Sequence, residues 1–458
     1  MNIPKIVKEQ KNYFATHQTK DISKRKQLLK NLLFEITKRE KDIVAALYAD
    51  FKKSEYESVM TETSIVISEL KRTIKNIKSW AKPQQVMPAF LNFPSSSKIH
   101  KEPYGVVLVV SPWNYPYQLA FVPLIGAIAA GNTVVVKPSE LTPNTSKITK
   151  EIIESIFETN HVSAIEGGVE VSTELLAQRW DYIFFTGSVT VGKIVAKAAA
   201  QFLTPVTLEL GGKNPCIIDE TANIKLAAKR IVWGKLINGG QTCIAPDYLL
   251  IHTSVKEKFI EHYQKEVIKA YGDNPENSKD YPRIVNQRNF DRLALMLENE
   301  KILVGGQTNR KDNYISPTLI DEPSLDSEVM KGEIFGPISP VLSYQTEEDI
   351  HTIISNYEKP LALYVFTRRK SFANKMIANY SFGGGTINDT TVHFANHNLP
   401  FGGVGESGVG AYHGKQTFDL FCHKKGVTKR YNWLDIPVRY APYNGKLKIL
   451  KTFMKYFS

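Results

Sequence analysis

The stretch Tyr104–Lys137, YGVVLVVSPWNYPYQLAFVPLIGAIAAGNTVVVK, indicates a β-α-β unit. It opens with a continuous apolar run, which is typical of a strand that is buried on both faces of a parallel sheet. SPWNYP interrupts this strand, and a helical stretch follows in which Pro123 predicts a bend. Gly131 is expected to close the helix in left-handed geometry, and TVVVK forms the next strand.

The same strand-helix rhythm returns further along the chain. DYIFFTGS followed by VTVGKIVAKAAA is a strand that leads into a helix, and PVTLELGGK is a further strand that ends in glycines. This alternation predicts an α/β fold with a doubly wound parallel sheet. Before it, residues 21–80 predict two long amphipathic helices. Residues 83–102 contain three prolines and predict an extended arm of two strands that are joined at Ser95–Ser97.

Polar residues follow the predicted strands at the point where each strand ends. They are Asn114, Lys137, Gly187–Ser188 and Glu209. Parallel sheets bind ligands in the crevice outside the carboxyl ends of their strands. We therefore expect these four features to lie at one edge of one sheet and to form a ligand site.

Two glycine motifs resemble phosphate-binding loops, and their contexts differ. GVGESG, residues 403–408, matches G-x-G-x-x-G, but neither a buried strand before it nor a long helix after it is predicted. We interpret it as a glycine-rich loop. GSVTVG, residues 187–192, follows the YIFF strand and opens a helix, so its amides are expected to face a bound anion.

Composition restricts the class of protein. The chain has 458 residues and three cysteines, none of them in a C-x-x-C pair, which argues against a disulfide framework and a zinc site. In HFANH, residues 393–397, phenylalanine stands where a metalloprotease needs glutamate, so no metal is expected. The N-terminus has no apolar core of signal-peptide length, and a cytoplasmic protein is expected. The net charge of +12 is spread over helical segments without a nucleic-acid-binding pattern, so no nucleic-acid partner is expected.

The segment NGGQTCIA, residues 238–245, places Cys243 behind two glycines and a glutamine. Cys216 and Cys422 lie in apolar surroundings and are predicted to be packed thiols. Glycines allow a ligand to approach the backbone closely, so Cys243 differs from the other two. Spacing alone leaves both a catalytic and a packing role open for Cys243.

Seven motifs occur in one order between residues 112 and 414: PWNYP, KPSE, FTGS, LELGGK, NGGQTCIAPDY, EIFGPI and FGGVGESGVGAYHG. In this combination the chain resembles the aldehyde dehydrogenase superfamily. LTPVTLELGGKNPC and the short C-terminal part are similar to its class 3 branch, the fatty and aromatic aldehyde dehydrogenases. The resemblance covers residues 1–435 and implies a Rossmann-like coenzyme domain, an α/β catalytic domain and a small β oligomerisation arm.

The resemblance also implies roles for the catalytic residues. Cys243 would attack the aldehyde and form a thiohemiacetal, whose oxyanion the Asn114 side-chain amide and the Cys243 backbone N–H would stabilise. One such donor is typically worth about 10²–10³ in rate. Glu209 matches the base that activates water for thioester hydrolysis, and Glu333 is the alternative base. Glu209, nearby amides and a bound nicotinamide are expected to favour the Cys243 thiolate.

NAD is the cofactor that the resemblance implies, with NADP as the alternative. The residues matched to cofactor binding are Trp113, Lys137, Glu140, Gly187, Ser188, Val189, Thr190, Val191, Gly192, Leu210, Gly211, Glu333 and Phe335. Tyr115, Leu119 and Trp233 are expected to line an apolar substrate pocket. They do not choose between a fatty, an aromatic and an isoprenoid or carotenoid aldehyde.

The resemblance divides the chain into four regions. Residues 1–82 and 103–208 would form the NAD(P)-binding domain, residues 209–418 the catalytic domain, residues 83–102 and 419–435 the oligomerisation arm, and residues 436–458 a basic amphipathic tail. An exposed strand arm needs a pairing partner, so a homodimer is expected.

Three other functions are alternatives to aldehyde oxidation. A non-catalytic binding or structural relative would lack the nucleophile or the base, and this sequence contains both. A CoA-acylating relative would use the same cysteine without a glutamate base, and the presence of Glu209 argues for hydrolysis to the free acid. A cysteine hydrolase would need a histidine partner and no nicotinamide.

The tail, residues 446–458, predicts an amphipathic helix. Leu447, Leu450, Phe453, Met454 and Phe457 would gather on one side, with lysines on another. It is too short and too charged to span a bilayer. Two interpretations stay open: the apolar side docks on the protein's own surface, over the substrate entrance, or it attaches the protein to an anionic membrane surface.

Overall fold

The computed structural model describes residues 2–457, apart from the side chains of Leu91, Phe453, Tyr456 and Phe457. The helices are α1 Ile3–Ala15, α2 Ile22–Lys38, α3 Glu40–Phe51, α4 Glu55–Ser58, α5 Ser64–Trp80, α6 Gln118–Ala130, α7 Pro143–Glu154, α8 Val169–Leu176, α9 Val189–Ala200, α10 Ile224–Leu236, α11 Lys256–Tyr271, α12 Gln287–Leu295, α13 Glu328–Lys331, α14 Glu347–Ile354, α15 Lys370–Asn379, α16 Lys415–Leu420 and α17 Leu447–Phe457.

The strands are β1 Gln84–Val86, β2 Ser95–Pro103, β3 Val106–Val110, β4 Thr133–Lys137, β5 Val162–Ala164, β6 Tyr182–Thr186, β7 Val206–Glu209, β8 Pro215–Ile218, β9 Tyr248–His252, β10 Ile302–Val304, β11 Thr308–Asn309, β12 Tyr314–Ile315, β13 Thr318–Asp321, β14 Ile338–Tyr344, β15 Ala362–Phe366, β16 Gly384–Ile387, β17 Gly408–Val409 and β18 Cys422–Arg430. Most of them belong to two large sheets and one three-stranded sheet.

The first large sheet has the strand order β17-β7-β6-β3-β4-β5. All its neighbours are parallel except β17, which confirms the predicted parallel sheet. Alternate residues of β3 enter different cores: Val107 and Val109 pack on one face, and Val106 and Leu108 on the other. The continuous apolar run is therefore explained by burial on both faces. Gly131 ends α6 with φ 100°, as predicted, and α6 runs through Pro123.

The second large sheet has the strand order β10-β13-β14-β9-β8-β15-β16, in which only β10 is antiparallel to its neighbour. Cys216 lies in β8 and Cys422 begins β18, and both side chains are buried. The prediction that these two thiols are packed groups is confirmed. The remaining cysteine, Cys243, lies between α10 and β9, where this sheet faces the first.

The arm forms a separate sheet of β1, β2 and β18, but its turn differs from the prediction. Residues 95–97 lie inside β2, where Ser97 pairs with Val86, and residues 87–94 make the connection. Pro88 and Pro94 fall in that connection because proline cannot donate to a strand ladder. The predicted turn at Ser95–Ser97 was therefore wrong.

The N-terminal region is more segmented than the predicted pair of helices. Between residues 22 and 80 the chain forms α2, α3, α4 and α5, with a π-helical turn at Val59–Thr63 between the last two. Lys52 ends α3 in the left-handed conformation, with φ 53°. Apolar periodicity continues across such breaks, so it did not reveal them. Helix α1 precedes them and buries Ile3, Ile6 and Val7 against the first sheet.

The division into domains stays a prediction, although one strand departs from its bounds. Gly408–Val409, in the range assigned to the catalytic domain, forms β17 and extends the first sheet beside β7. In residues 2–457 no helix is both long enough and apolar enough to cross a membrane.

Candidate active site

A cavity of about 300 Å³ lies between the two large sheets and contains the Cys243 thiol. Side chains from distant parts of the chain enclose it, and most of them are apolar. They include Met60, Ile65, Tyr115, Leu119, Glu209, Leu210, Trp233, Ile237, Val392, Phe394, Phe401 and Tyr412. The structure thus brings together Cys243, Glu209, Leu210 and all three residues expected in the substrate pocket. Met60, Ile65, Val392 and Phe394 were missed, because nothing in their local sequence indicates a ligand. Phe401 and Tyr412 lie in the motif FGGVGESGVGAYHG but were not assigned to the pocket.

The loop that carries Cys243 has an unusual backbone. Asn238, Gly239 and Gly240 all adopt left-handed conformations, with φ of 54°, 61° and 76°. A side chain at position 240 would place its Cβ 2.2 Å from the Gly336 carbonyl oxygen, so only glycine fits there. The Gln241 side chain fixes the loop by donating to the carbonyls of Asn238 and Arg283. The two glycines therefore shape the turn before the cysteine.

The thiol of Cys243 is partly buried, and its pKa lies above the usual range. Burial is the main cause, and the nearby carboxylates of Glu333 and Glu209 add to it because they repel a thiolate. The backbone N–H groups of Cys243 and Ile244 lower the pKa, as expected for nearby amides. The expectation that Glu209 favours the Cys243 thiolate was wrong as far as electrostatics is concerned, because the negative charge of an ionised Glu209 raises the pKa of the thiol.

Glu209 ends β7 and projects into the cavity. Its side chain is buried, and neither carboxyl oxygen has a hydrogen-bond partner among the described residues. Burial raises the pKa of Glu209 well above its ordinary value, because the ionised form is poorly solvated. A buried acid without a partner, beside a thiol, is available for proton transfer to a molecule in the cavity.

The glycine motif at residues 403–408 supports the strand that carries Glu209. Gly408 pairs with Glu209 across β17 and β7, and the Leu210 N–H donates to the Ser407 carbonyl at 3.2 Å. No long helix follows this motif, so its interpretation as a loop rather than a dinucleotide fingerprint agrees with the structure. Its pairing with β7 could not be predicted, because two residues are too short for a strand signal.

Asn114 is buried next to the Cys243 loop. Its side-chain amide donates to the Gln241 carbonyl at 3.1 Å, two residues before the cysteine. The Asn114 carbonyl accepts at 2.7 Å from the side-chain amide of Asn238. These contacts fix Asn114 against the loop from two directions, and they were not visible in the sequence.

Glu333 lies near Cys243, in the segment between α13 and β14. Its carboxylate lies against Gly211, where any added Cβ would be 2.0 Å from Oε2, and it accepts from the Gly212 N–H. Burial raises the pKa of Glu333 to about 8, and Asp247 adds to the shift. Its Oε1 has no partner among the described residues. This carboxyl group is therefore available to a ligand.

A buried ion pair that the sequence did not reveal holds the backbone on both sides of Glu333. Lys213 Nζ is 2.7 Å from Asp247 Oδ2 and donates to the carbonyls of Val329 and Gly332. Asp247 Oδ1 accepts from the Ile334 N–H at 2.9 Å. Lys213 directly follows the LELGG segment, so the Glu209 and Glu333 segments are linked.

Trp113 and Phe335 meet at the edge of the site. Their ring centroids are 5.1 Å apart with an interplanar angle of 80°, an edge-to-face arrangement. Phe335 adopts φ 54°, which is strained for an aromatic residue and holds its ring in this position. Both residues were matched to cofactor binding, and the structure places them together.

The remaining cofactor-matched residues lie at the carboxyl edge of the first sheet. Lys137 ends β4, and its Nζ is 2.5 Å from the Glu140 carboxylate. Ser188 caps the N-terminus of α9 by accepting from the Val191 N–H, and Gly187, Thr190 and Gly192 lie around that terminus. Gly192 packs closely on the Leu210 side chain, since an added Cβ would be 2.7 Å from the end of that side chain. A helix N-terminus suits a pyrophosphate, and a lysine–glutamate pair suits a ribose, so these residues fit a nicotinamide dinucleotide.

The histidines of residues 393–397 lie behind the substrate cavity. His393 stacks on Phe401, a cavity residue, at 6.2 Å between ring centroids. Burial lowers the pKa of His393 to about 4. Within residues 2–457 no group of three or more histidine, cysteine, aspartate or glutamate side chains is arranged to hold a metal ion.

Comparison with known proteins places the chain among the aldehyde dehydrogenases. The model of the aldehyde dehydrogenase family matches residues 1–427. The chain is 48% identical, over 98% of each chain, to the 4,4'-diaponeurosporen-aldehyde dehydrogenase of Staphylococcus aureus (strain NCTC 8325 / PS 47). It is 44% identical to aldehyde dehydrogenase family 3 member A2 of Macaca fascicularis, over 90% of this chain and 85% of that protein.

Two further relatives bear on assembly and fold. The dimeric NADP-preferring aldehyde dehydrogenase of Canis lupus familiaris is 41% identical, over 97% of this chain and 99% of that protein. The solved structure described as the substrate-bound state of Staphylococcus aureus AldH superimposes with a TM-score of 0.97 at 48% identity, over 99% of this chain and 100% of that chain.

Proposed function

Since this chain belongs to the aldehyde dehydrogenase family, we propose that Cys243, Glu209 and Asn114 carry out its oxidation of an aldehyde to the carboxylic acid with NAD or NADP. The observation that carries the proposal is that the Cys243 thiol and the unpartnered Glu209 carboxyl group share one apolar cavity. Class 3 relatives are among the most similar proteins, which agrees with the motifs of residues 203–216.

The first step is attack of Cys243 Sγ on the aldehyde carbon. A carbon–sulfur bond forms and the carbonyl oxygen becomes an oxyanion, and the thiol has given up its proton to solvent water before the attack. The Asn114 side-chain amide and the Cys243 N–H are the donors for the oxyanion. When bound, the nicotinamide supplies the acceptor for the hydride that leaves the thiohemiacetal carbon. A thioester on Cys243 remains.

The second step is hydrolysis of this thioester. Glu209 takes a proton from water, the water oxygen bonds to the acyl carbon, and the carbon–sulfur bond breaks to release the acid and the thiolate. The raised pKa of Glu209 makes it a stronger base than an ordinary glutamate. Glu333 is the alternative base. The Glu333 carboxylate lies against Gly211, a residue matched to cofactor binding, and this favours a role for Glu333 in cofactor contact instead.

The cofactor would be held by residues on both sheets. Lys137 and Glu140 would bind the adenosine ribose, Gly187–Gly192 the pyrophosphate, and Leu210, Gly211, Glu333, Trp113 and Phe335 the nicotinamide half. Glu140 is already paired with Lys137, and its charge disfavours a 2'-phosphate. We therefore propose a preference for NAD over NADP, although one relative is named as NADP-preferring.

The substrate that we propose is a long apolar aldehyde of the isoprenoid or carotenoid type. The cavity is apolar, and its volume is near the lower limit for ligand cavities. It can therefore enclose the aldehyde end of the substrate, while the rest of a long hydrocarbon chain must extend out of the cavity. Trp233 and Val392 line the cavity, and each side chain is 41% exposed, which provides an apolar exit. A 48% identical relative is named for diaponeurosporen-aldehyde.

Two alternatives find less support in the site. A cysteine hydrolase requires a base such as histidine beside the thiol, and among the described residues none of those that line the cavity is a histidine. A CoA-acylating enzyme needs no buried base, whereas Glu209 lies in the cavity with both oxygens available.

We expect NADH production to increase with the apolar length of the aldehyde. Because each buried methylene contributes about 0.8 kcal/mol, kcat/KM should rise until the cavity and its exit are filled. The measurement is an initial-rate series over aliphatic, aromatic and polyene aldehydes, each with NAD and with NADP. Trp233→Ala is the matched variant, and it should reduce kcat/KM for the long aldehydes only. Highest kcat/KM for short polar aldehydes would contradict the substrate proposal.

A homodimer and a cytoplasmic location are also proposed. The strand β18 is an edge of the arm sheet, its residues 423–429 are exposed, and β16 is an edge of the second large sheet. Open sheet edges tend to pair with another chain, so each arm can extend the partner's sheet. One relative is named as dimeric. The three cysteines are free, which suits a reducing compartment.

The tail is the part that we propose to contact an anionic membrane. Residues 447–457 form the predicted helix, and Leu447, Leu450 and Met454 are 62%, 42% and 51% exposed. The side chains of Phe453 and Phe457 lie outside the described residues. Leu447 and Leu450 line a cavity of about 650 Å³ with Phe90 and Phe93 of the arm, whereas no described tail residue lines the Cys243 cavity. The alternative is therefore docking on the arm.

One pair of proteins tests both proposals for the C-terminal region: the full chain and a chain that ends at Gly445. Both should show twice the mass of one chain by light scattering, since β16 and β18 are unchanged. Only the full chain should sediment with phosphatidylglycerol vesicles at low salt, and high salt should release it, because each lysine near an anionic surface is worth about 1 kcal/mol. Monomeric mass would refute the dimer, and absence of sedimentation would leave the tail docked on the arm.

A further inference from the structure

Two buried glutamates with no part in the proposed chemistry lie behind the Cys243 loop. Glu57 is in α4, and Glu62 is in the π-helical turn that follows it. Both side chains are buried, and so is Lys53, whose Nζ is 2.9 Å from Glu62 Oε1. Burial of charged groups is costly, and apolar residues in their place are often at least as stable. Stability of the fold alone therefore does not explain why these three charged residues are buried together.

Glu62 holds the start of α6, the helix that follows Asn114. Its Oε2 accepts from the backbone N–H groups of Tyr117 and Gln118, both at 3.0 Å. The first N–H groups of a helix have no partner within the helix, and a carboxylate there also interacts favourably with the helix dipole. Glu62 thereby fixes the turn on which Asn114 lies.

Glu57 holds the loop on the other side of the site. Its Oε1 accepts from the Asn238 N–H at 2.7 Å. Asn238 is in the left-handed conformation, and its side-chain amide donates to the carbonyls of Asn114 at 2.7 Å and Gln241 at 3.1 Å. A chain of hydrogen bonds thus runs from Glu57 through Asn238 to Asn114.

Lys53 and Tyr115 connect the two halves of the cluster. Lys53 Nζ lies 4.7 Å from the centroid of the Tyr115 ring, within the range of a cation–π contact. The Tyr115 hydroxyl is 2.6 Å from Thr242 Oγ1, and Thr242 precedes Cys243. The segment of residues 53–62 thus contacts both the Asn114 turn and the Cys243 loop.

We propose that Glu57 is a positioning residue for the oxidation: with Glu62 it sets the spacing between Asn114 and Cys243, so that their two N–H donors converge on one oxygen. This inference rests on the oxyanion roles proposed above for Asn114 and Cys243. Glu57 does not touch the substrate and acts only through Asn238. A displacement of about 1 Å in such a site can cost about 10²-fold in rate.

A double-mutant cycle between Glu57 and Asn114 tests the proposal. Glu57→Leu should lower kcat/KM about 10²-fold, whereas Glu57→Gln should retain most activity, because its amide oxygen can still accept from the Asn238 N–H. Combined with Asn114→Ala, Glu57→Leu should cost much less than the product of the two single effects, since residues that act through each other are not additive. Alkylation of Cys243 by iodoacetamide, which needs no oxyanion donor, and the dissociation constant for NAD should stay unchanged.

The results of this cycle distinguish a failure of the positioning role of Glu57 from a failure of the proposed function. Multiplicative effects, or equal losses in Glu57→Gln and Glu57→Leu, would overturn the positioning role. An active Asn114→Ala would overturn the oxyanion assignment and the positioning role together, whereas an impaired Asn114→Ala beside a fully active Glu57→Leu would overturn only the latter. If Glu57→Leu does not fold, Asn238→Gly is the second variant: it keeps the N–H that Glu57 binds and tolerates the left-handed backbone, but it removes the side-chain amide that continues the chain of hydrogen bonds to Asn114, and its full activity would overturn the proposal.

The matched control is Asp219→Asn, which alters another buried carboxylate. Asp219 is fully buried and accepts from Thr367 and Arg369, and it contacts neither Asn114 nor the Cys243 loop. Asp219→Asn should lower the melting temperature. Any effect that it has on kcat/KM should be independent of Asn114→Ala, so that the double variant shows the product of the two single effects. Coupling of Asp219→Asn to Asn114→Ala would mean that loss of any buried carboxylate disturbs the site, and it would overturn the specific role of Glu57.

Discussion

Replacing Cys243 with alanine is expected to abolish aldehyde oxidation and to leave the dissociation constant for NAD almost unchanged. The substitution removes the only atom that can form the thiohemiacetal in the proposed route, so neither hydride transfer nor hydrolysis can follow. The cofactor-matched groups, among them Lys137, Glu140 and Glu333, do not change. The measurements are NADH formation from an apolar aldehyde and NAD binding by calorimetry.

Cys216→Ala and Cys422→Ala are the controls for the nucleophile. Both side chains are buried in packed surroundings, so their replacement should retain activity and cost about 1 kcal/mol of unfolding free energy. Comparable loss of activity in all three variants would refute the assignment of Cys243.

Replacing Glu209 with glutamine is expected to produce a burst of NADH followed by slow turnover. Only hydrolysis of the thioester needs an activated water, and general-base catalysis typically contributes about 10²–10⁴-fold. The acyl group should therefore accumulate on Cys243, and mass spectrometry of the quenched protein should detect it. Stopped-flow fluorescence of NADH measures the burst and the steady rate in one experiment.

The pH dependence of hydrolysis follows from the burial of Glu209. Burial raises the pKa of this carboxyl group, and a general base acts in its deprotonated form. In the unmodified protein the steady rate should therefore rise as pH passes upward through the raised pKa, and Glu209→Gln should lose that rise. Equal slowing of the burst and of turnover would instead move the base role to Glu333, whose pKa of about 8 also lies near neutral pH.

The local sequence was sufficient for the first sheet and for one side of the site. Continuous apolar runs such as that of β3 indicate strands buried on both faces, and the polar residues after β4, β6 and β7 were expected at one edge. Parallel pairing brings these ends together, so their proximity follows from topology. The family motifs then indicated Cys243, which spacing alone had left ambiguous.

The tertiary structure alone decided which groups surround the thiol. Met60 and Phe394 enter the Cys243 cavity from positions about 150 or more residues away in sequence, and Lys213 meets Asp247 behind Glu333. The structure also moved the arm turn to residues 87–94 and divided the N-terminal helices. Periodicity reports burial along one element, and it contains no information on which distant element provides the partner.

The glutamates at 57 and 62 illustrate the limit most clearly. In the sequence KKSEYESVMTETS, residues 52–64, they lie in the range predicted as amphipathic helix, and nothing in that pattern indicates that they are buried. In the folded chain both are buried and bind backbone N–H groups of Asn238, Tyr117 and Gln118. The sequence predicted strands β3, β4, β6 and β7, the order of the motifs and the proposed nucleophile. Hydrogen bonds between residues 55 to 181 positions apart decided where these two glutamates lie, because a carboxylate can be buried only where N–H groups or a lysine compensate its lost hydration.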